Sequence, residues 1–147
     1  MQKVFQNKYL VYSFIFLLLA LLISVRWKEH HLFYDPFLNY FKGIFQNKPL
    51  PNYNVFLLIF NYLIRYSINS ILSIGIIYLL FRDFKTLKLI IYLYVLLFLI
   101  LLILLIVVLF LNNPDYNFPL FYIRRFIIQP VFLILFVPAL YFQKMVK

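Results

Sequence analysis

Arg65 is a charged residue set deep in a stretch with no other charge. The run from Val55 to Phe81 is otherwise apolar or weakly polar, longer than the ~20 residues that cross a bilayer core. Asn61, Arg65, Asn69 and Ser73 recur at every fourth position, which on a helix makes one slowly drifting polar stripe. An arginine at mid-membrane costs from ~3 to over 10 kcal/mol depending on the reference system, so it faces a partner and not lipid. Two kinds of partner fit. Guanidinium and amide donors can converge on an anionic group, such as a lipid phosphate or the carboxylate of a peptide. Alternatively Arg65 pairs inside the chain with Asp35 or Asp115, and the amides fill the remaining hydrogen bonds while the cluster holds the helices in register. The candidate site is therefore Asn61, Arg65 and Asn69, roofed by Arg124, Arg125, Asp35 and Asp115.

Other chemistries find little support. With no cysteine, the chain has no thiol nucleophile, disulfide framework, thiolate metal site or iron-sulfur site. Glu29, His30, His31 and Asp35 are all types that ligate zinc, but adjacent histidines point ~100° apart on a helix and no His-x-His or His-x-x-x-His spacing is present. A paired-carboxylate hydrolase needs two acids in mutual reach. The chain holds only four Asp and Glu, and Asp35 and Asp115 both fall in expected loops. No catalytic residue, metal or cofactor is expected. The formal charge of +10 does not point to nucleic acid, because the fourteen Lys and Arg are scattered and form no basic run. Their natural neighbours are anionic lipid headgroups.

The elements that must position these residues are membrane helices. At 66% hydrophobic and 12% charged, with a mean hydropathy of +0.96, the composition is that of an integral membrane protein. The expected fold is all-α: a single membrane domain over 1–147 with four transmembrane helices at about 9–25, 55–81, 89–111 and 121–142, and a short interfacial helix at about 36–46 between the first two. Arg26-Trp27-Lys28 after the first run resembles an interfacial anchor more than a signal-peptide cleavage site. Asp35-Pro36 reads as a helix start, an N-cap carboxylate followed by a proline at the first position. Phe37, Tyr40, Phe41 and Ile44 would then share the membrane-facing side. Ser67, Ser70 and Ser73 form a small-residue packing face on the second span, which makes that helix central. Arg82 to Lys88 reads as a tight basic turn. The third span has no charge and is expected to face lipid. Pro130 and Pro138 predict kinks in the fourth.

Basic residues set the expected orientation. Lys3, Lys8, Arg82, Lys85, Lys88, Lys144 and Lys147 would lie on one side, and Arg26, Lys28, Lys42 and Lys48, with Arg124 and Arg125 at the membrane edge, on the other. The excess is slight, but the tight basic turn and the Lys-free loop at Asp115 agree with both termini being cytoplasmic.

Two stretches, Leu32 to Leu38 followed by Tyr40-Phe41, and Arg65 to Ser73 leading to Ile76-Ile77-Tyr78-Leu79, resemble the exosortase F system-associated membrane proteins of the Bacteroidetes. The resemblance in length and span order covers most of the chain. It implies a small non-enzymatic inner-membrane subunit of a protein-sorting system, whose partner is an exosortase or the transmembrane tail of its substrate. It does not imply the peptidase activity, which in exosortases relies on a Cys, an Arg and a His. The alternative is a lipid-handling or small transport protein that binds an anionic headgroup near the outer face. Membrane lipids are partners under both readings.

Overall fold

The computed structural model describes residues 7–129 and 131–146. Lys3, Pro130 and Lys147, which entered the sequence reading, lie outside them. The described residues are helical, with no strand: α1 (Lys8–Trp27), α2 (Glu29–Leu32), α3 (Phe37–Tyr40), α4 (Val55–Phe81), α5 (Phe84–Leu111), a 3-10 turn (Pro114–Tyr116), α6 (Asn117–Ile128) and α7 (Val131–Val146). Three of these, α1, α4 and α5, are long and apolar enough to cross a membrane. The Pro114–Ile128 segment and α7 meet at 66°, and together they make a fourth candidate if the bent pair counts as one span.

Local sequence explains most boundaries. Asn54 caps α4 by accepting from the Leu57 N–H at 3.3 Å, and Asp83 caps α5 by accepting from the Lys85 and Thr86 N–H groups at 3.1 and 3.2 Å, each satisfying a donor that the helix itself cannot. That cap corrects the sequence reading. The stretch from Phe84 to Lys88, expected as turn, is the first part of α5, and the reversal is confined to Arg82 and Asp83. Arg82 and Asn112 end α4 and α5 in the left-handed conformation, with φ of 52° and 43°. Asparagine tolerates it well; arginine is the less usual occupant.

α4 is the central helix, in contact with α1, α5, α6 and α7. Its apolar window is 39% buried, against 28% for α5 and 11% for α1. The helix most open to its surroundings is thus α1. α5, expected to face lipid, buries Ile90, Tyr94, Leu101, Leu105 and Leu109. α1 packs on α4 where Leu18 reaches Gly75; a methyl added there would sit 3.4 Å from the Leu18 Cδ1.

The segment between α1 and α4 also departs from expectation. Helix is confined to Phe37–Tyr40 and does not run to residue 46. Phe37 is 1% exposed, packed inside the protein against Tyr40, Phe41 and Tyr53, whereas Ile44 points away and is exposed. These aromatics do not share a membrane-facing side. The Asp35 carboxylate does not cap this helix either, because it is engaged elsewhere.

Candidate functional site

The buried face of α4 carries Tyr62, Arg65 and Asn69, positions separated by three and four and hence stacked along one side. Arg65 is 3% exposed. Its Nη1 donates to the Asp35 Oδ2 at 3.0 Å and its Nη2 to the Glu29 Oε2 at 2.6 Å. Arg124 of α6, 5% exposed, donates through Nη2 to the same Asp35 Oδ2. Its Nε lies 3.1 Å from the Tyr62 hydroxyl and 3.4 Å from the Asp35 Oδ1, and the Tyr62 hydroxyl donates to that Oδ1 at 3.2 Å. Asp35, its side chain 1% exposed, thus accepts from two guanidinium groups and a phenol. A carboxylate has about four lone-pair sites, and here they are filled. Aromatic rings cover both cations: Phe33 lies 5.1 Å from the Arg65 Cζ and Phe41 lies 5.8 Å from the Arg124 Cζ, within the reach of a cation–π contact.

The formal charge inside the cluster is zero, two arginines against Asp35 and Glu29. Of the two partners that the sequence left open for Arg65, the one found is internal: Asp35, joined by Glu29. Asp115 is exposed in the 3-10 turn and makes no ion pair among the described residues; its N–H bonds the Asn113 Oδ1 at 3.0 Å. Arg125 is also exposed and turns to the Gln129 Oε1 of its own helix, 3.1 Å away. These two roofing residues are not brought to the cluster.

The asparagines position other groups. The Asn61 Oδ1 accepts from the Tyr34 N–H at 3.2 Å, holding the extended stretch that delivers Asp35 against α4. The Asn69 Nδ2 donates to the Ile128 carbonyl at 2.8 Å. That carbonyl is the last of α6 and is left without its helical partner by the break before α7. Ser70 and Ser73 are buried, with no hydrogen-bond partner for either hydroxyl among the described residues, but Ser67 is exposed. The three serines do not form one packing face.

Glu29, Tyr62 and Asn117 are the participants that sequence reading missed. Tyr62 precedes Arg65 by three residues and so had to share its face. Glu29 was legible by elimination, as an acid just past the first span in a chain with four carboxylates. Asn117 carried no such signal. It is 2% exposed, and its Nδ2 reaches the Phe45 carbonyl, the Tyr40 hydroxyl and the Lys48 carbonyl at 2.9, 3.0 and 3.1 Å, fastening the loop after α3 to the start of α6. Burial pushes the Tyr40 phenol up, and the Asn117 bond opposes that rise.

Glu29, His30 and His31 do not assemble a metal site: no group of three ligating side chains occurs among the described residues. His30 instead meets the Lys42 Nζ, 2.7 Å from its Nε2. No family model matches the chain, and neither does any curated protein or solved structure. The site must speak through its geometry.

Beside the cluster lies a cavity of about 300 Å3 between α1, α4 and the α6–α7 junction. Leu19, Leu22, Ile23 and Arg26 line it from α1, Arg65 and Asn69 from α4, and Ile128, Gln129, Leu133 and Ile134 from the broken helix pair.

Proposed function

We propose that the chain is a non-enzymatic membrane subunit that holds a transmembrane segment of another protein, as part of an exosortase-type sorting system. The observation that carries this reading is the bare side of α4. Phe56, Phe60, Leu63 and Ile71 are exposed on the most central helix, with Ser67 exposed among them. Their spacing of four, three, four and four is that of a helix-packing seam. A serine within such a seam lets a second helix approach closely and offers it a hydroxyl. Ser70 and Ser73, also candidates for a partner contact, are buried inside the bundle, and Arg65 is engaged there by Asp35 and Glu29. The assignment to a sorting system rests on the resemblance alone, and the two stretches that carry it are those that contain Asp35 and Arg65.

The use of the carboxylates supports a scaffold over a catalyst. Asp35 and Glu29 neutralise arginines and Asp83 caps a helix, which leaves Asp115 in an exposed turn. In this reading the chain crosses the inner membrane four times, its last span broken at the α6–α7 junction, with both termini in the cytoplasm. Lys8, Arg82 and Lys144 line one hollow at a single end of the bundle, consistent with a basic cytoplasmic face. A photoreactive benzoylphenylalanine at Ser67 should give a discrete protein adduct in native membranes, and the same probe at exposed Tyr92 of α5 should not. Equal adduct patterns at the two positions would remove the α4 seam from consideration.

A further inference from the structure

The cavity beside the cluster has a chemistry that the partner-binding reading does not use. Its apolar walls are Leu, Ile and Val side chains from α1 and from both sides of the α6–α7 break, and its polar lining is Arg26, Arg65, Asn69 and Gln129. Arg65 is 3% exposed, and of its five N–H donors two are taken by Asp35 and Glu29 among the described residues. Arg26 is exposed, on the last turn of α1, and takes no carboxylate partner among the described residues. Arg125 is likewise without a carboxylate, and its Nε holds the amide of the cavity residue Gln129. The acids nearby are spent on the cluster, which leaves Arg26 as the lining cation without a carboxylate among the described residues, beside an apolar wall.

We propose that the cavity binds an anionic single-chain amphiphile, its chain along Leu19, Leu22, Ile23 and Ile134 and its acidic head at Arg26 beside Gln129. The volume suits a single chain. About 300 Å3 lies at the lower limit of small-molecule pockets, which run from ~300 to ~1,000 Å3, and holds one acyl chain or part of one. Charge decides the head. A neutral head would leave Arg26 without an anion and a zwitterionic head would bring a cation with its phosphate, whereas a carboxylate or phosphate of net negative charge completes a charge-assisted hydrogen bond and balances the arginine. The site is independent of the Ser67 seam, which lies on the exposed side of α4.

Trp27 provides the probe. It is the single tryptophan of the chain, follows Arg26, and is 84% exposed. The full chain is reconstituted in phosphatidylcholine vesicles at a pH where a fatty-acid carboxyl is ionised, and Trp27 fluorescence is quenched with 5-doxylstearate or with its methyl ester. The acid should quench saturably at low mole fraction, and the ester only in proportion to its bulk concentration. Arg26→Gln should weaken the saturable component about tenfold, the loss of one hydrogen bond to a charged group. The double variant Leu19→Phe/Ile134→Phe, at two exposed positions, should abolish it by filling the cavity without touching the ion cluster. Lysophosphatidylglycerol should displace the acid, and inorganic phosphate should not. Equal quenching by acid and ester, displacement by inorganic phosphate, or saturable quenching that survives the double variant would each overturn the proposal. So would photocross-links from benzoylphenylalanine at Ile23 that contain protein only, since they would give the cavity to another helix.

Discussion

Replacing Asp35 by Asn is the sharpest test of how the two buried arginines are held. The side chain keeps its size but loses its charge, and its new NH2 group presents donors where Arg65, Arg124 and Tyr62 all donate. Two guanidinium groups, 3% and 5% exposed, would be left with one carboxylate, Glu29, which reaches only Arg65. Removing one partner of a buried pair costs ~3–5 kcal/mol, a large share of the ~5–15 kcal/mol that holds a typical domain together. Arg65→Met is milder. Asp35 keeps Arg124 and Tyr62, and Glu29, its side chain 19% exposed, can turn towards water, so the loss is nearer ~1–3 kcal/mol. The double variant Arg65→Met/Glu29→Gln restores charge balance and should recover part of that loss, whereas adding Asp115→Asn to Arg65→Met should recover nothing. Reversible unfolding in mixed micelles of a mild detergent and dodecyl sulfate, followed by circular dichroism, ranks the set. If Asp35→Asn stays within ~0.5 kcal/mol of the parent, the range of an ordinary surface change, or proves milder than Arg65→Met, the cluster does not organise the fold.

Further outcomes follow from individual contacts. Asn69→Leu leaves the Ile128 carbonyl without its donor and should cost ~1–3 kcal/mol in the same unfolding assay, more than the isosteric Asn69→Asp, whose protonated form can still donate. Asn117→Ala should release the loop after α3 from α6, seen as faster proteolysis between Lys42 and Lys48 with the long helices intact. Asp83 lies outside the spans, and its bond from the Thr86 hydroxyl, with the α5 N–H donors, holds its carboxyl below the usual aspartate value. A depressed folded-state value means that the cap contributes fully above the ordinary aspartate range and is lost as pH falls through the lowered value. Backbone carbon chemical shifts at Lys85 and Thr86 should therefore report fraying of α5 only in acid, and Asp83→Asn should abolish that pH dependence.

The apolar runs determined by themselves that the chain is helical and built for a membrane, because a stretch of twenty or so apolar residues has few other ways to satisfy its backbone. The four-residue recurrence of Asn61, Arg65 and Asn69 likewise placed one polar stripe on one helix and showed that Arg65 needed a partner. Periodicity is local, and its reach ended there. That Asp35 leaves its expected cap to join Arg65 and Arg124, that Glu29 completes the charge balance, and that Asp115 and Arg125 stay outside are long-range matters, set by which segments meet when α1, α4 and α6 pack. The same holds for the serines: three-residue spacing turns by ~60° per step, so burial of Ser70 and Ser73 against neighbouring helices leaves Ser67 outside. The break between α6 and α7 was foreshadowed by proline, but the donor that quiets its free carbonyl comes from Asn69, 59 residues earlier. Only the packed bundle could bring those two groups together, since nothing in the intervening sequence encodes their distance.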